Sequence, residues 1–179
     1  MSAKLVLKMH QSIDGFVCTV NGEEEWLRPH MDESVLKWEV EHLWQAGTHI
    51  MGRVLYETMA SYWPTSKEPP AMPMNQIPKV VFSKSLKQAA WGPAEIASGD
   101  LAGEISRLKQ RSRKDILAHG GASFAQSLAR LNLIDEYRLL VHPVALGSGK
   151  PCISSPLDLR LLSSHAFPSG VVGLIYSRS

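Results

Sequence analysis

Residues 116–137 read ILAHGGASFAQSLARLNLIDEY. A short apolar run with the look of a buried strand meets Gly120 and Gly121, and an amphipathic helix starts at once after them. A strand handing over to a helix within a few residues is half of a βαβ unit, so this stretch decides the fold class. Two adjacent glycines at that junction leave no Cβ between the backbone and an approaching anion. The positive end of the following helix favours negative charge there.

Working outward, strand-like and helix-like stretches alternate. Lys4–His10 reads as a strand closed by the Asp14-Gly15 turn, residues 32–45 as a helix, and Thr48–Gly52 as a buried strand followed by a helix over Arg53–Ser61. Five prolines between Pro64 and Pro78 predict an irregular loop. Lys79–Ser83 is the next strand, and residues 100–110 form a helix with Asp100 as its cap. Asp115–His119, the helix after the glycines and Glu136–Val144 complete the alternation. The C-terminal LRLLSSHAFPSGVVGLIYSRS carries a Pro-Ser-Gly turn between two β-rich runs. The expected architecture is an α/β three-layer fold: a mostly parallel mixed sheet, flanking helices and an antiparallel C-terminal hairpin, in one domain over residues 1–179.

Composition excludes several classes of function. Apolar residues at 44% and charged residues at 20% describe a globular chain rather than a disordered one. A formal charge of +2 gives no electrostatic footprint for nucleic acid, and the one basic cluster, KQRSRK at Lys109–Lys114, sits at a helix end where cations favour the macrodipole. Cys18 and Cys152 have neither disulfide-framework nor zinc spacing, and no metal site is expected. No stretch approaches the roughly 18 apolar residues of a membrane span, and MSAKLVLKMH lacks the pattern of a leader; the expected location is the cytoplasm.

Three predicted strand ends carry chemistry suited to phosphate: Gly52-Arg53, Ser83-Lys84, and Gly120-Gly121-Ala122-Ser123. Arg53 offers a planar fork for phosphate oxygens and Lys84 a point charge, while Ser123 can equally serve as a helix cap. Neither G-x-G-x-x-G nor a P-loop motif occurs.

HIMGRVLYETM (His49–Met59), VVFSKSL (Val80–Leu86) and HGGASFAQSLARLNLIDEYRLLVHPVALGSGKP (His119–Pro151) resemble, in order and spacing, the dihydrofolate-reductase-like superfamily, and within it the reductase domain of bacterial riboflavin biosynthesis. The resemblance implies NADPH as cofactor, with its pyrophosphate on Gly120, Gly121 and Ala122. Gly52-Arg53 and Ser83-Lys84 would hold the remaining phosphates, the 2'-phosphate included, the two cations flanking the diglycine. It also implies a small-molecule substrate, a homodimer, and neither nucleic acid nor membrane as partner. Apolar edges in EYRLLVHPV or VVGLIY support the dimer. Two positions depart from the family pattern: Leu55 stands where Thr is frequent, and Gly47 where Asp is frequent.

For catalysis, EWLRPHMDE places Trp26, Pro29 and Asp32 in nearly the order of the W-x-x-P and carboxylate of dihydrofolate reductases. Asp32 is therefore the candidate for orienting or protonating substrate, with helix capping as its competing role. Asp14, in QSIDG, matches the loop bordering the nicotinamide pocket, with turn formation as the competing role. His119 and His142 fall at strand ends near this cleft. The implied reaction is reduction of a ribosylamino-pyrimidine; a true dihydrofolate reductase and a non-catalytic nucleotide-binding module remain as alternatives.

Overall fold

A computed structural model describes residues 3–179; Met1 and Ser2, the start of the MSAKLVLKMH opening, lie outside it. Strands β1 (Leu5–Ser12), β3 (Ala46–Gly52), β4 (Lys79–Phe82), β5 (Ala94–Ala97), β6 (Asp115–Ala118), β7 (Glu136–His142), β9 (Leu159–Ala166) and β10 (Val172–Arg178) make one sheet in the order β5-β4-β3-β6-β1-β7-β10-β9. The six strands from β5 to β7 run parallel, and β10 and β9 add the antiparallel hairpin. Gly170, at φ +87°, takes the left-handed position that the Pro-Ser-Gly turn demands. Two short strands, β2 (Phe16–Cys18) and β8 (Lys150–Pro151), pair separately.

Helices cover both faces because the parallel strands are apolar on both. Leu5, Leu7, Ile50 and Ile116 pack beneath α4 (Leu101–Arg111) and α5 (Ala122–Arg130). Val6, Met51 and Leu117 pack on the other side against α1 (Glu33–Trp44), α2 (Arg53–Tyr62) and α3 (Ala71–Gln76) through Leu43, Tyr56 and Met74. Each such side chain, wholly buried, contributes about 1.5–3 kcal/mol. As expected, Asp100 caps α4, accepting from the Gly103 amide at 2.9 Å.

The irregular loop expected over residues 64–78 contains α3, which corrects that expectation. Pro70 stands at the helix N-cap and Pro73 in its first turn, where an amide has no acceptor inside the helix to lose. A second correction concerns the sheet edges. EYRLLVHPV and VVGLIY are interior strands, β7 between β1 and β10 and β10 between β7 and β9, so neither is a free edge.

The α1 face also holds polar groups. His49 is completely buried, neither ring nitrogen has a hydrogen-bond partner, and its ring meets that of His119 at 4.6 Å. Burial, then the charge of Lys79, pushes the His49 pKa down to about 3. Burial, then the His10 and His30 imidazoles, does the same to His142. A histidine with a folded pKa below its unfolded value of about 6.5 stabilises the fold above that pH and loses the contribution as pH falls toward 3. Urea denaturation at pH 6.5, 5.5 and 4.5 should show stability falling steadily. His49→Leu should remove about 1.4 kcal/mol per pH unit of that slope.

Candidate functional site

The chain leaves β3 toward β4 through α2 and α3 on one face, and leaves β6 toward β7 through α5 on the other face. β3 and β6 are neighbours, so two crossovers diverge from adjacent strand ends. In an open parallel sheet this divergence makes the crevice at the carboxyl ends where ligands bind. Both helices that open there lack a side-chain cap: Gly52 is the N-cap of α2 and Gly121 that of α5. Their first-turn amides face the crevice and favour an anion. The Ser123 side chain is not the cap of α5, which corrects that alternative; Ser123 lies exposed in the first turn.

Each glycine has a physical reason. Gly120 has φ +90°, and a Cβ there would sit 2.6 Å from Sδ of Met9 on β1. A Cβ on Gly121 would meet nothing within 4 Å, which is the open cradle an anion needs. The Gly120–Gly121 peptide is cis. A Cβ on Gly52 would lie 3.7 Å from Phe124 in the first turn of α5, so the two helix starts abut. Phe82 and Phe124 pair beside them at 5.1 Å.

Arg53 and Lys84 do not flank the diglycine. The order β4-β3-β6 puts both cations on one side of it, Arg53 nearer and Lys84 farther. Both are exposed, and Arg53 pairs with Glu57 one turn along α2 at 3.2 Å. The Ser83 hydroxyl accepts from the amides of Ser85 and Leu86, holding the turn that carries Lys84. The Gly47 and Leu55 departures leave Gly47 at the opposite end of β3 and Leu55 against the α1-face core. A concavity of about 810 Å3 also opens at that opposite end, between Gly47, Pro78, Ala94 and Lys114. It receives the amino ends of the strands and none of the glycine-opened helix starts, so the crevice at the carboxyl ends is the candidate site.

The two carboxylates singled out for catalysis are committed elsewhere. Asp32 is the N-cap of α1, accepting from the Val35 amide, the Ser34 hydroxyl and the Ser169 amide at 2.9, 2.6 and 2.9 Å. The Ser34 bond, then the Val35 amide, holds its pKa down at about 2, so it has no proton to give at neutral pH. Asp14 accepts from the Ser12 hydroxyl and from the amides of Gly147 and Leu146, tying the β1–β2 turn to the loop after β7. The Ser12 bond first, then Gly147, lowers its pKa. In this geometry both groups are structural acceptors, and W-x-x-P with Asp32 loses its force as a sign of dihydrofolate reduction.

A polar chain that sequence reasoning missed stands on the other side of the diglycine. On β1, Lys8 forms a buried ion pair with Glu39 of α1, and His10 Nε2 lies 3.0 Å from the same carboxylate oxygen. His10 Nδ1 is 2.9 Å from Nε2 of His142 on β7. Burial would raise the Glu39 pKa, but the Lys8 charge and then His10 outweigh it and hold the carboxyl below its usual range. Trp26 and His30, from a 3-10 turn at Glu25–His30, cover His142. The available signal was Lys8 on the strand and Glu39 on the sheet-facing side of a helix, charged residues at buried positions, with the half-buried His10 two residues after Lys8.

Residues 3–173 match the model of the RibD C-terminal domain. The chain belongs to that family. Among family relatives, the uncharacterized protein YyaP of Bacillus subtilis (strain 168) is 29% identical over 97% of this chain and 94% of its own length. The riboflavin biosynthesis protein RibD of Corynebacterium ammoniagenes is 23% identical over 90% of this chain, which spans 49% of that protein. A protein of Shewanella sp. PV-4 assigned to riboflavin biosynthesis superposes with a TM-score of 0.81 at 21% identity, covering 98% of this chain and 99% of that one. A Thermotoga maritima deaminase and 5-amino-6-(5-phosphoribosylamino)uracil reductase superposes with a TM-score of 0.73 at 14% identity, over 99% of this chain and 57% of that one. At these identities the superpositions show the family fold, the mixed sheet with its C-terminal hairpin. No group of three His, Cys, Asp or Glu able to hold a metal ion occurs among the described residues, and no helix there is long and apolar enough to cross a membrane.

Replacing Asp32 by Ala should lower the thermal unfolding midpoint by a few degrees through loss of the cap. The pH dependence of turnover should stay as it is in the unaltered protein; a displaced acid limb would return Asp32 to proton handling.

Proposed function

We propose that this protein is an NADPH-dependent reductase acting on a pyrimidine- or pterin-type substrate, in the manner of the riboflavin-pathway reductase. The observation that carries this reading is the pair of uncapped, glycine-opened helix starts side by side where the crossovers diverge. Bound NADPH would supply the hydride; the chain supplies position and a water-poor pocket. Gly52, Gly120, Gly121 and Ala122 would cradle the pyrophosphate against backbone amides. Arg53 and Lys84, both on the β4 side of the diglycine, would take the 2'-phosphate, and His10 on β1 stands on its other side, where it could meet the nicotinamide end.

Arg53 must leave Glu57 to do this. An exposed i,i+4 pair is worth about 0.3–0.5 kcal/mol, and a charge-assisted bond to phosphate about 1.5–3 kcal/mol, so the exchange favours the cofactor. We also propose a homodimer, formed through β9 rather than β7 or β10. β9 is the free edge beside β10 and is exposed along nearly all its length, with Leu161 51% and Leu162 47% accessible. The cytoplasm is the compartment that suits an NADPH-dependent reductase with two free cysteines.

Calorimetric titration should show NADPH binding about tenfold to a hundredfold more tightly than NADH. Arg53→Ala with Lys84→Ala should abolish that preference while sparing NADH; equal affinities in the unaltered protein would overturn the cofactor assignment.

Sedimentation at micromolar concentration should show a dimer, and Leu161→Lys with Leu162→Lys should convert it to a monomer.

A further inference from the structure

The proton that must accompany hydride addition has no source in Asp32 or Asp14, and the structure offers another. Nε2 of His10 lies 3.0 Å from the Glu39 carboxylate and 3.5 Å from the Lys8 ammonium, and the shorter contact to the charged acceptor favours a hydrogen on Nε2 that donates to Glu39. In the neutral state, His10 Nδ1 then accepts, and His142 carries its hydrogen on Nε2. This leaves Nδ1 of His142 bare. That atom is buried with no partner, His142 itself is wholly buried, and Nε1 of Trp26, whose ring meets His142 edge-on at 5.6 Å, is likewise buried and unpartnered. These two orphaned polar atoms belong to rings in edge contact, the indole carried by a 3-10 turn that has no buried residue and no side-chain cap.

We propose that Glu39, His10 and His142 form a proton relay that ends at Nδ1 of His142, where the substrate's reacting bond is met once the Trp26 edge is displaced. This inference rests on the reductase reading for its substrate, and on side-chain geometry alone for the relay. Addition of hydride to the carbon of a C=N or C=O bond moves the π pair onto nitrogen or oxygen, which must take a proton. With one extra proton in the chain, His10 is doubly protonated, donating through Nε2 to Glu39 and through Nδ1 to Nε2 of His142. His142 then carries its hydrogen on Nδ1. Transfer from that nitrogen to the substrate heteroatom draws the His10 proton onto Nε2 of His142 and leaves both rings neutral. Every bond broken is matched by one formed, and the net consumption is one proton from solvent. The charged and titratable groups facing the chain are Lys8 on β1, Glu39 on α1, His119 after β6, His30 on the 3-10 turn and Glu24 just before it. Glu24 is solvent-accessible by surface area, yet enough protein surrounds it that desolvation raises its pKa, against the pull of His10 and Lys8.

The sheet order supports the placement. β1 lies between β6 and β7, His10 stands beside Leu140 and Ser12 beside His142 in the β1–β7 register, and Met9 touches Gly120. The relay is therefore on the side of the diglycine away from Arg53 and Lys84, where the nicotinamide end would lie. His142 would be the catalytic residue; His10 and Glu39 are positioning residues.

Long-range proton–nitrogen NMR of the imidazoles in the unaltered protein at pH 7.5, with no cofactor or substrate, should show His10 and His142 both protonated on Nε2. A neutral His142 protonated on Nδ1 would overturn the relay whether or not the protein binds NADPH. Glu39→Gln combined with Lys8→Met, which keeps the buried charge balanced, should mix the two tautomers of His142. With 5-amino-6-(5-phosphoribosylamino)uracil as the probe, the same double variant should lower kcat on the order of 10²-fold and displace its pH profile, with the Kd for NADPH unchanged. An unchanged profile in a folded variant would overturn the relay. Failure of the unaltered protein to bind NADPH at all would instead sink the reductase reading, and the tautomer measurement would still decide the relay.

Discussion

The buried contact between Lys8 and Glu39 is the constraint on which the arrangement of this molecule depends. Lys8 lies in β1, second from one end of the parallel set, in a strand whose first three residues, Leu5, Val6 and Leu7, are apolar and buried. An ammonium there without a partner would cost several kcal/mol, and removing either member of such a pair costs about 3–5 kcal/mol. Only a carboxylate at one position of α1 satisfies it, so the helix can dock in one register. A second tie at the C-terminal cap of the helix, Arg138 donating to Gln45 at 2.9 Å and itself held by Glu136, removes the remaining rotation. Once α1 is placed, Asp32 at its start reaches the β9–β10 turn through Ser169, and the C-terminal hairpin is joined to the α1 face of the sheet.

The same contact divides the sheet's carboxyl edge by chemistry. From β4 to β6 the strand ends offer cations, glycines and free amides, a surface for phosphates. From β1 to β7 they offer imidazoles and an indole, groups that hold or pass protons and stack on planar rings. An elongated ligand with a charged end and a flat end would lie across the edge in one direction only. The divergence of crossovers between β3 and β6 marks the crevice at which the two halves meet.

Several elements were legible because their causes are local. The alternation of strands and helices, the Asp100 cap, the hairpin around Pro168-Ser169-Gly170 and the glycine at each helix start follow from contacts within a few residues. Helix α3 was not legible, since the count of prolines obscured that Pro70 and Pro73 occupy the positions a helix tolerates. The competing roles of Asp32 were equally open in the sequence. A carboxylate before a helix has the same spacing whether it caps or catalyses, and Ser169, whose amide it accepts from, is 137 residues away.

By itself the sequence determined the fold class, the mixed sheet and the three strand ends bearing glycine or cation, because periodicity and turn chemistry are properties of neighbouring residues. Tertiary structure alone decided that β3 stands between β4 and β6, which places Arg53 and Lys84 together on one side of the diglycine. It alone brought His10 to Glu39, 29 residues on, and to His142, 132 residues on. The physical reason is that strand order and side-chain partners are set by which apolar faces close together in three dimensions. A buried lysine or histidine acquires its charge state and its chemistry only from the groups that this closure places beside it.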